Sequence, residues 1–306
     1  MNQRTTPERI LIIKHGAFGD LMQAEGVLHD IRQHFPLAHL ALLTTPGFVG
    51  LMQRCPHIDQ VLVDPRAPLW HWSAQWALYR RLRAGQWDTV IDLQNSTRTS
   101  FYRRSLLRHA HWIGRLRGPA PVSGLRGQQH LLQEAGIDAS HALQPDLSWM
   151  AANVDDLLAQ HGVGRPYVVL IPGSSARHPE KRWPFYPQLA ADLQQEGLAC
   201  VSVLGPDEKE LAAGFSCHVL QGLDWFTLAG VLQQAAVVVG NDSGPSHVAS
   251  CLGRPGLALF GTSTSPLRSE LARGSFETLQ VDALEQLPVS QVMEKLRPKL
   301  PARAGG

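Results

Sequence analysis

The chain has 306 residues, 44% of them hydrophobic and 18% charged, which suits one large or two ordinary cores and excludes a disordered chain. A formal net charge of +2 does not point to nucleic acid as a partner, and no nucleic-acid-binding module is recognisable. Four scattered cysteines (Cys55, Cys200, Cys217, Cys251) form no C-x-x-C pair, which argues against structural zinc and fits a reducing compartment.

In chain order, the apolar run in "MNQRTTPERILIIKHG" is too short for a signal-peptide core, and no stretch reaches the ~18 apolar residues of a membrane span. The expectation is a cytoplasmic protein that can still touch a membrane surface. "RILIIK" (9–14) reads as a buried strand, and residues 20–35 as one helix with Leu21, Ala24, Leu28, Ile31 and Phe35 on a face. Strands are predicted at 39–45, 60–64 and 88–94, then at 167–173, 198–205, 235–240 and 256–261. Alternation with helical segments means βαβ units and mostly parallel sheets. A linker is expected near 145–165, dividing a first domain (1–155) from a second (156–306) whose last helix is free to pack back on the first.

Two features of the first half stand out. Trp70, Trp72, Trp76 and Trp87 lie in "PLWHWSAQWALYRRLRAGQW", with Trp72 and Trp76 on one helix face. A stripe packed on the core is the ordinary reading; the alternative is an interfacial patch with Arg80, Arg81 and Arg83 close behind. Residues 93–133 contain no Asp or Glu, but carry Arg98, Arg103, Arg104, Arg108, Arg115, Arg117 and Arg126 among Phe101, Tyr102 and Trp112. Such a run is usually a solvated face. The lack of any acid points instead to an anionic partner, a phosphorylated acceptor or an acidic membrane.

Ligands of doubly wound folds bind outside the carboxyl ends of the strands, so the turns there are where chemistry is expected. "KHGAFGDLM" has Gly16 and Gly19 but no dinucleotide fingerprint. Its Asp20 is either a first-turn acid favoured by the helix dipole or a general base. "IPGSSARHPEKRWP" brings Ser174 and Ser175 with Arg177, Lys181 and Arg182, a hydroxyl-and-cation loop that suits a diphosphate. "VVVGNDSGPSHVAS" is a strand, a turn and a helix start, with Pro245 in the first helical turn. It is either a capped helix that binds nothing or an anion site made of backbone N–H groups. Lys181 and the Gly244 turn together read as a pyrophosphate site. No D-x-D pair is present to hold a divalent ion, so neither a metal nor a cofactor is expected.

Together, "ILIIKHGAFGDLM", "PGSSARHPEKRWP" and "VVVGNDSGPSHVASCLGRPGLALFGTSTSP" resemble the bacterial lipopolysaccharide heptosyltransferases, glycosyltransferase family 9. The resemblance implies a GT-B architecture, two Rossmann-like doubly wound domains facing across a cleft, with acceptor on the first and nucleotide-sugar on the second. It implies inverting, metal-independent transfer of heptose from an ADP-heptose-type donor to a lipopolysaccharide core or related anionic glycan, at the inner face of the inner membrane. Asp20 falls on the family's catalytic base and Lys181 on the lysine that contacts donor phosphate. Ser174 and Ser175 fall on donor-loop hydroxyls, and Asp242, Ser243, Gly244 and His247 on the donor-binding helix start. Gly16, Arg98 and Arg103 are the acceptor-side candidates. Where members often carry an acid near the nucleoside, this sequence has Phe226 and Thr227. Asp242 would repel a phosphate, so it is expected to face sugar hydroxyls. The rivals are a nucleotide-sugar epimerase or hydrolase of the same architecture, and a non-catalytic nucleotide-sugar-binding protein.

Overall fold

A computed structural model describes residues 8–68, 70–115 and 124–301. Arg117 lies outside the described residues. The chain divides into two compact units, residues 1–145 and 146–306.

The first unit runs β1 (Arg9–Ile13), α1 (Phe18–Gln23), α2 (Glu25–His34), β2 (His39–Thr44), α3 (Val49–Met52), β3 (Gln60–Val63), α4 (Trp72–Ala84), β4 (Thr89–Asp92), α5 (Thr97–Phe101), β5 (His111–Ile113) and α6 (Gly124–Glu134). Its sheet is parallel, in the order β3-β2-β1-β4-β5. Ile10 to Ile13 are wholly buried, as expected of a central parallel strand covered on both faces. Leu11, Ile13, Ala41, Leu43 and Val90 pack with Leu78 and Leu82 of α4 and with Tyr102.

The second unit runs α7 (Asp155–Gln160), β6 (Tyr167–Ile171), α8 (Tyr186–Gln195), β7 (Ala199–Leu204), β8 (His218–Gln221), α9 (Trp225–Gln234), β9 (Val237–Asn241), α10 (Gly244–Cys251), β10 (Gly256–Phe260), α11 (Pro266–Ser269), β11 (Phe276–Gln280) and α12 (Val289–Leu296). Its parallel sheet has the order β11-β10-β9-β6-β7-β8. Val168, Leu170, Val237, Val239, Leu257 and Leu259 pack against Trp183, Leu189 and Leu193. Val292, Met293 and Leu296 of α12 are buried in this same cluster. No helix among the described residues is long and apolar enough to cross a membrane. All four cysteines are buried and free.

Three sequence expectations are corrected. Residues 20–35 are not one helix: Ala24 ends α1 and begins α2. The sheets have three further strands, β5, β8 and β11, all short and partly exposed. The tryptophan stripe does not pack on the core. Gln75, Leu78 and Leu82 form the buried stripe of α4, whereas Trp70, Trp72 and Trp76 are 73%, 81% and 61% exposed. Of the four, Trp87 alone is buried.

Each sheet reverses its winding once, between β1 and β4 and between β6 and β9. A doubly wound sheet opens a crevice at such a switch point, on the carboxyl side of its strands. The turns singled out in the sequence follow β1, β6 and β9, three of these four strands.

Candidate functional site

In the first unit, polar side chains are buried where the strands end. Lys14 and His15 follow β1, Thr44 ends β2, Asp64 follows β3 and Asp92 ends β4, all nearly inaccessible. Burial holds the Lys14 ammonium below its usual value, against the opposing charges of Asp20 and Asp92. Burial raises the Asp92 carboxyl, although its Oδ1 accepts from the N–H groups of Gln94 and Asn95 at 3.0 and 2.9 Å. The Asp64 carboxylate lies 3.0 Å from His15 Nε2 and accepts from Tyr102 Oη at 2.5 Å and from the Arg66 N–H at 2.7 Å. Burial pushes this carboxyl up, but the contacts from His15, Tyr102 and Arg66 outweigh it and hold it below the usual carboxylate range.

Asp20 stands exposed in the first turn of α1, next to this buried row. Gly16 opens the turn with φ +120°, and a Cβ there would lie 2.7 Å from Phe48 Cε2, so both backbone and space call for glycine. Arg98 is drawn inward. It donates to Tyr102 Oη at 3.0 Å and to the Ala67 carbonyl at 2.6 Å, with Asp64 3.8 Å away. Arg103 lies over the Trp112 ring, 5.8 Å from its centroid.

In the second unit, Asn241 ties the two switch-point turns together. Its Nδ2 donates to the carbonyls of Pro172 and Gly173, at 2.7 and 3.3 Å. Its Oδ1 accepts from the Trp183 N–H and Tyr186 Oη, both at 3.2 Å. Gly240, one residue earlier, leaves room for the helix start: a Cβ there would lie 2.4 Å from Ser246 Oγ and 3.0 Å from Ile171 Cβ. Ser246 Oγ donates to the Asn241 carbonyl at 2.6 Å.

This frame brings Lys181, Asp242 and Thr264 together. Lys181 Nζ and Thr264 Oγ1 both donate to Asp242 Oδ2 at 2.7 Å. His247 Nε2 stands 3.9 Å from the other carboxylate oxygen. The acid in the turn is therefore matched to the loop's lysine rather than left to repel an anion. Arg182 has different partners: Ser174 at 3.2 Å, with Glu208 and Glu210 at 3.8 and 3.5 Å. Ser174 is buried and donates to the His178 carbonyl at 2.9 Å, which fixes the loop's shape, whereas Ser175 is exposed. Ser243 is the N-cap of α10, yet its hydroxyl makes no cap bond to a first-turn amide and lies 3.2 Å from Ser246 Oγ. Gly244 and Pro245 follow as the first helical residues.

Sequence reasoning assigned no role to Thr264 or Asn241. Thr264 lies in "GTSTSP" after β10, where only its position after a strand could have marked it. Asn241 stands beside Asp242, but its partners are 55 to 69 residues away in the chain.

Among the described residues, Glu25, His29 and His57 have ligand atoms within 4.8 Å of one another, the spacing a metal ion would need. His57 Nε2 lies 2.7 Å from Glu25 Oε1. However, the rings of His29 and His57 stack at 4.6 Å with planes 8° apart. Parallel imidazoles do not aim their lone pairs at one point, so this arrangement is not a formed metal site.

Comparison with known proteins now adds to the geometry. The chain is 21% identical to the lipopolysaccharide core heptosyltransferase OpsX of Haemophilus influenzae over 291 residues, covering 86% of this chain and 81% of the relative. In fold it is similar to a family 9 glycosyltransferase from Veillonella parvula (TM-score 0.80, 20% identity, 95% and 97% of the chains covered). It is also similar to E. coli ADP-heptose lipopolysaccharide heptosyltransferase II (TM-score 0.73, 20% identity, 95% and 98% covered). The fold is thus GT-B, with two Rossmann-like units. The family model described as glycosyltransferase family 9 (heptosyltransferase) matches residues 127–291, which include the Lys181–Asp242–Thr264 cluster. The chain therefore belongs to glycosyltransferase family 9, the heptosyltransferases, and is a glycosyltransferase of lipopolysaccharide biosynthesis.

Proposed function

We propose that this enzyme transfers heptose from ADP-heptose to an anionic hydroxyl-bearing acceptor of the lipopolysaccharide core, with inversion and without a metal. The observation that carries this reading is the cation–acid–hydroxyl cluster Lys181–Asp242–Thr264, set beside a helix start whose cap residue leaves the first-turn amides unclaimed by its side chain. Lys181 and the N–H groups of Ser243, Gly244 and Ser246 meet the pyrophosphate and neutralise the charge that builds on the leaving nucleotide, since Pro245 has no N–H and that of His247 donates to the Ser243 carbonyl. Ser175 offers the exposed hydroxyl of the donor loop, and Ser174 keeps that loop in shape. Asp242 orients Lys181 and, with its second oxygen, accepts from a sugar hydroxyl. The relative whose structure is named for ADP-heptose supports adenine as the base and heptose as the sugar.

The first unit supplies the base and the acceptor contacts. Asp20 takes the proton of the acceptor hydroxyl as that oxygen bonds to the anomeric carbon and the carbon–phosphate oxygen bond breaks. Gly16 lets the acceptor approach the backbone. Arg103 meets its negative charge, and Arg98 acts from behind through Tyr102 and Asp64. The enzyme works on the cytoplasmic side, against the inner face of the inner membrane, where a lipid-linked acceptor is presented.

The test is transfer from ADP-heptose to a delipidated core acceptor in the presence of EDTA, with the product's anomeric configuration read by NMR. The expected result is an inverted glycoside, with turnover in Asp20→Ala reduced ~10²–10⁴-fold. ADP release without acceptor would favour an epimerase or hydrolase. Donor binding without any turnover would leave only a binding protein.

A further inference from the structure

The exposed aromatics of the first unit have no role in that reaction. Trp72, Trp76 and Arg80 recur at i, i+4 and i+8 on α4, on the side away from its buried Leu78 and Leu82. The chain can bury this residue type, since Trp87 and Trp183 are 8% and 2% exposed. Beside the stripe lies a hollow of about 420 Å³ between α4 and the segment 101–109, lined by Trp72, Trp76 and Tyr79 on one side and Phe101, Leu106 and Arg108 on the other.

The surroundings are cationic. Residues 65–115 carry nine arginines against two acids, Asp88 and Asp92, in a chain whose net charge is +2. Both acids are turned to other uses. Asp88 accepts from the Arg9 N–H at 3.0 Å, and Asp92 is buried. Arg80, Arg104 and Arg108 are exposed, Arg80 one turn after Trp76 on α4, Arg108 in the lining of the hollow, and Arg104 in the segment 101–109 that forms its other side. Rings that bury an apolar body while keeping a polar edge wet, ringed by guanidinium groups, are suited to the headgroup layer of a bilayer.

We infer that this face of α4 docks on an anionic phospholipid bilayer, with Trp70, Trp72 and Trp76 at headgroup depth and Arg80, Arg104 and Arg108 against lipid phosphates. The inference deepens the reading of a lipid-linked acceptor by naming the surface that brings the enzyme to it. It needs no membrane-spanning segment, and the hollow's size suits one lipid headgroup or the end of one acyl chain.

The experiment is co-sedimentation of the full chain with phosphatidylethanolamine vesicles containing a quarter phosphatidylglycerol, and with pure phosphatidylcholine vesicles. The variants are Trp72→Ala/Trp76→Ala and Arg80→Gln/Arg104→Gln/Arg108→Gln, each checked for an unchanged thermal midpoint. Anionic vesicles are expected to capture the wild type in a salt-sensitive way, with a blue shift of tryptophan fluorescence. Neutral vesicles are expected to capture little. An arginine near an anionic surface is worth roughly fivefold in partitioning, so the triple variant should lose on the order of 100-fold. Transfer to the delipidated acceptor should stay at the wild-type rate in both variants. Equal binding to both vesicle types, binding to neither, or variants that bind like wild type would each overturn the proposal. So would tighter capture by single-stranded RNA than by anionic vesicles. The outcome is independent of catalysis: a chain that sediments but transfers nothing refutes the proposed reaction and leaves the docking face standing.

Discussion

The Lys181–Asp242 pair allows a prediction with a worked magnitude. The two groups are 2.7 Å apart, with side chains 17% and 9% exposed. At an effective dielectric constant of about 20 their gross attraction is ~6 kcal/mol. Most of that is offset by taking both charges partly out of water. The net value of a hydrogen bond to a charged group is about 1.5–3 kcal/mol. Lys181→Met should cost about 2 kcal/mol of stability, because Asp242 keeps only the Thr264 hydroxyl at bonding distance, with His247 at 3.9 Å. Asp242→Asn should cost about 1–2 kcal/mol, because the amide oxygen still accepts but the charge is gone. The double variant should cost less than the sum by about 1–2 kcal/mol. Urea unfolding of the four proteins measures this cycle. Repeating it in 0.5 M salt should change the coupling little, since a buried pair is poorly screened. Costs that add within about 0.3–0.5 kcal/mol would show that the pair is not coupled and that Asp242 does not hold the lysine.

Three further outcomes follow from the same geometry. Gly240→Ala puts a Cβ against Ser246 Oγ and Ile171 Cβ, so it should cost about 1–3 kcal/mol of stability and weaken donor binding by tilting the start of α10; calorimetry reads both. Tyr102→Phe removes a donor to Asp64 and an acceptor of Arg98 and should lower stability by about 1–3 kcal/mol at neutral pH. The folded Asp64 carboxyl is held low, so its contribution is full above its ordinary value of 3.8 and is lost as pH falls through the folded value. The Tyr102→Phe penalty should therefore shrink in strong acid, which stability measurements across pH would reveal. His29 is held below its usual value of 6.5 by burial and then by the charges of His57 and His141. The unfolded chain then binds more protons just below 6.5, so stability should fall as pH drops through that window, and His29→Gln should flatten the fall.

The central strands were legible because buried parallel strands are short unbroken apolar runs: "RILII", "YVVLI" and "GLALF". Of the four edge strands only Gln60–Val63 was legible. His111–Ile113, His218–Gln221 and Phe276–Gln280 are half-solvated and carry mixed patterns that composition does not separate from loops. The split at Ala24 was invisible because alanine suits the interior of a helix as well as its end. The turns were found because parallel strands align their carboxyl ends, so position after a strand already selects one edge. Partners across that edge could not be read. Arg98 looked like a free cation, yet its guanidinium is committed to Tyr102 and to the carbonyl of Ala67, 31 residues away. The tryptophan stripe was misjudged because helical spacing says which residues share a face, not which face meets the core. Leu78 and Leu82 take the core face.

If the turn "GNDSGP" holds phosphate as proposed, its acid is the counter-charge that the neighbouring lysine needs. A lysine placed to meet a pyrophosphate must be held in position before the ligand comes. Left alone at 17% exposure, it would sacrifice hydration without compensation. Asp242 supplies that compensation, and Thr264 keeps the carboxylate turned toward it at 2.7 Å. When a diphosphate enters, the lysine can share its three N–H donors between carboxylate and phosphate. The site then changes its net charge by adding the ligand alone, with no side chain to reorganise. The same logic accounts for Arg182, whose glutamate partners and tie to Ser174 turn it to the shape of the loop. Under the proposed function, the cation paired to the switch-point acid serves the ligand, and the one paired to Glu208 and Glu210 serves the fold.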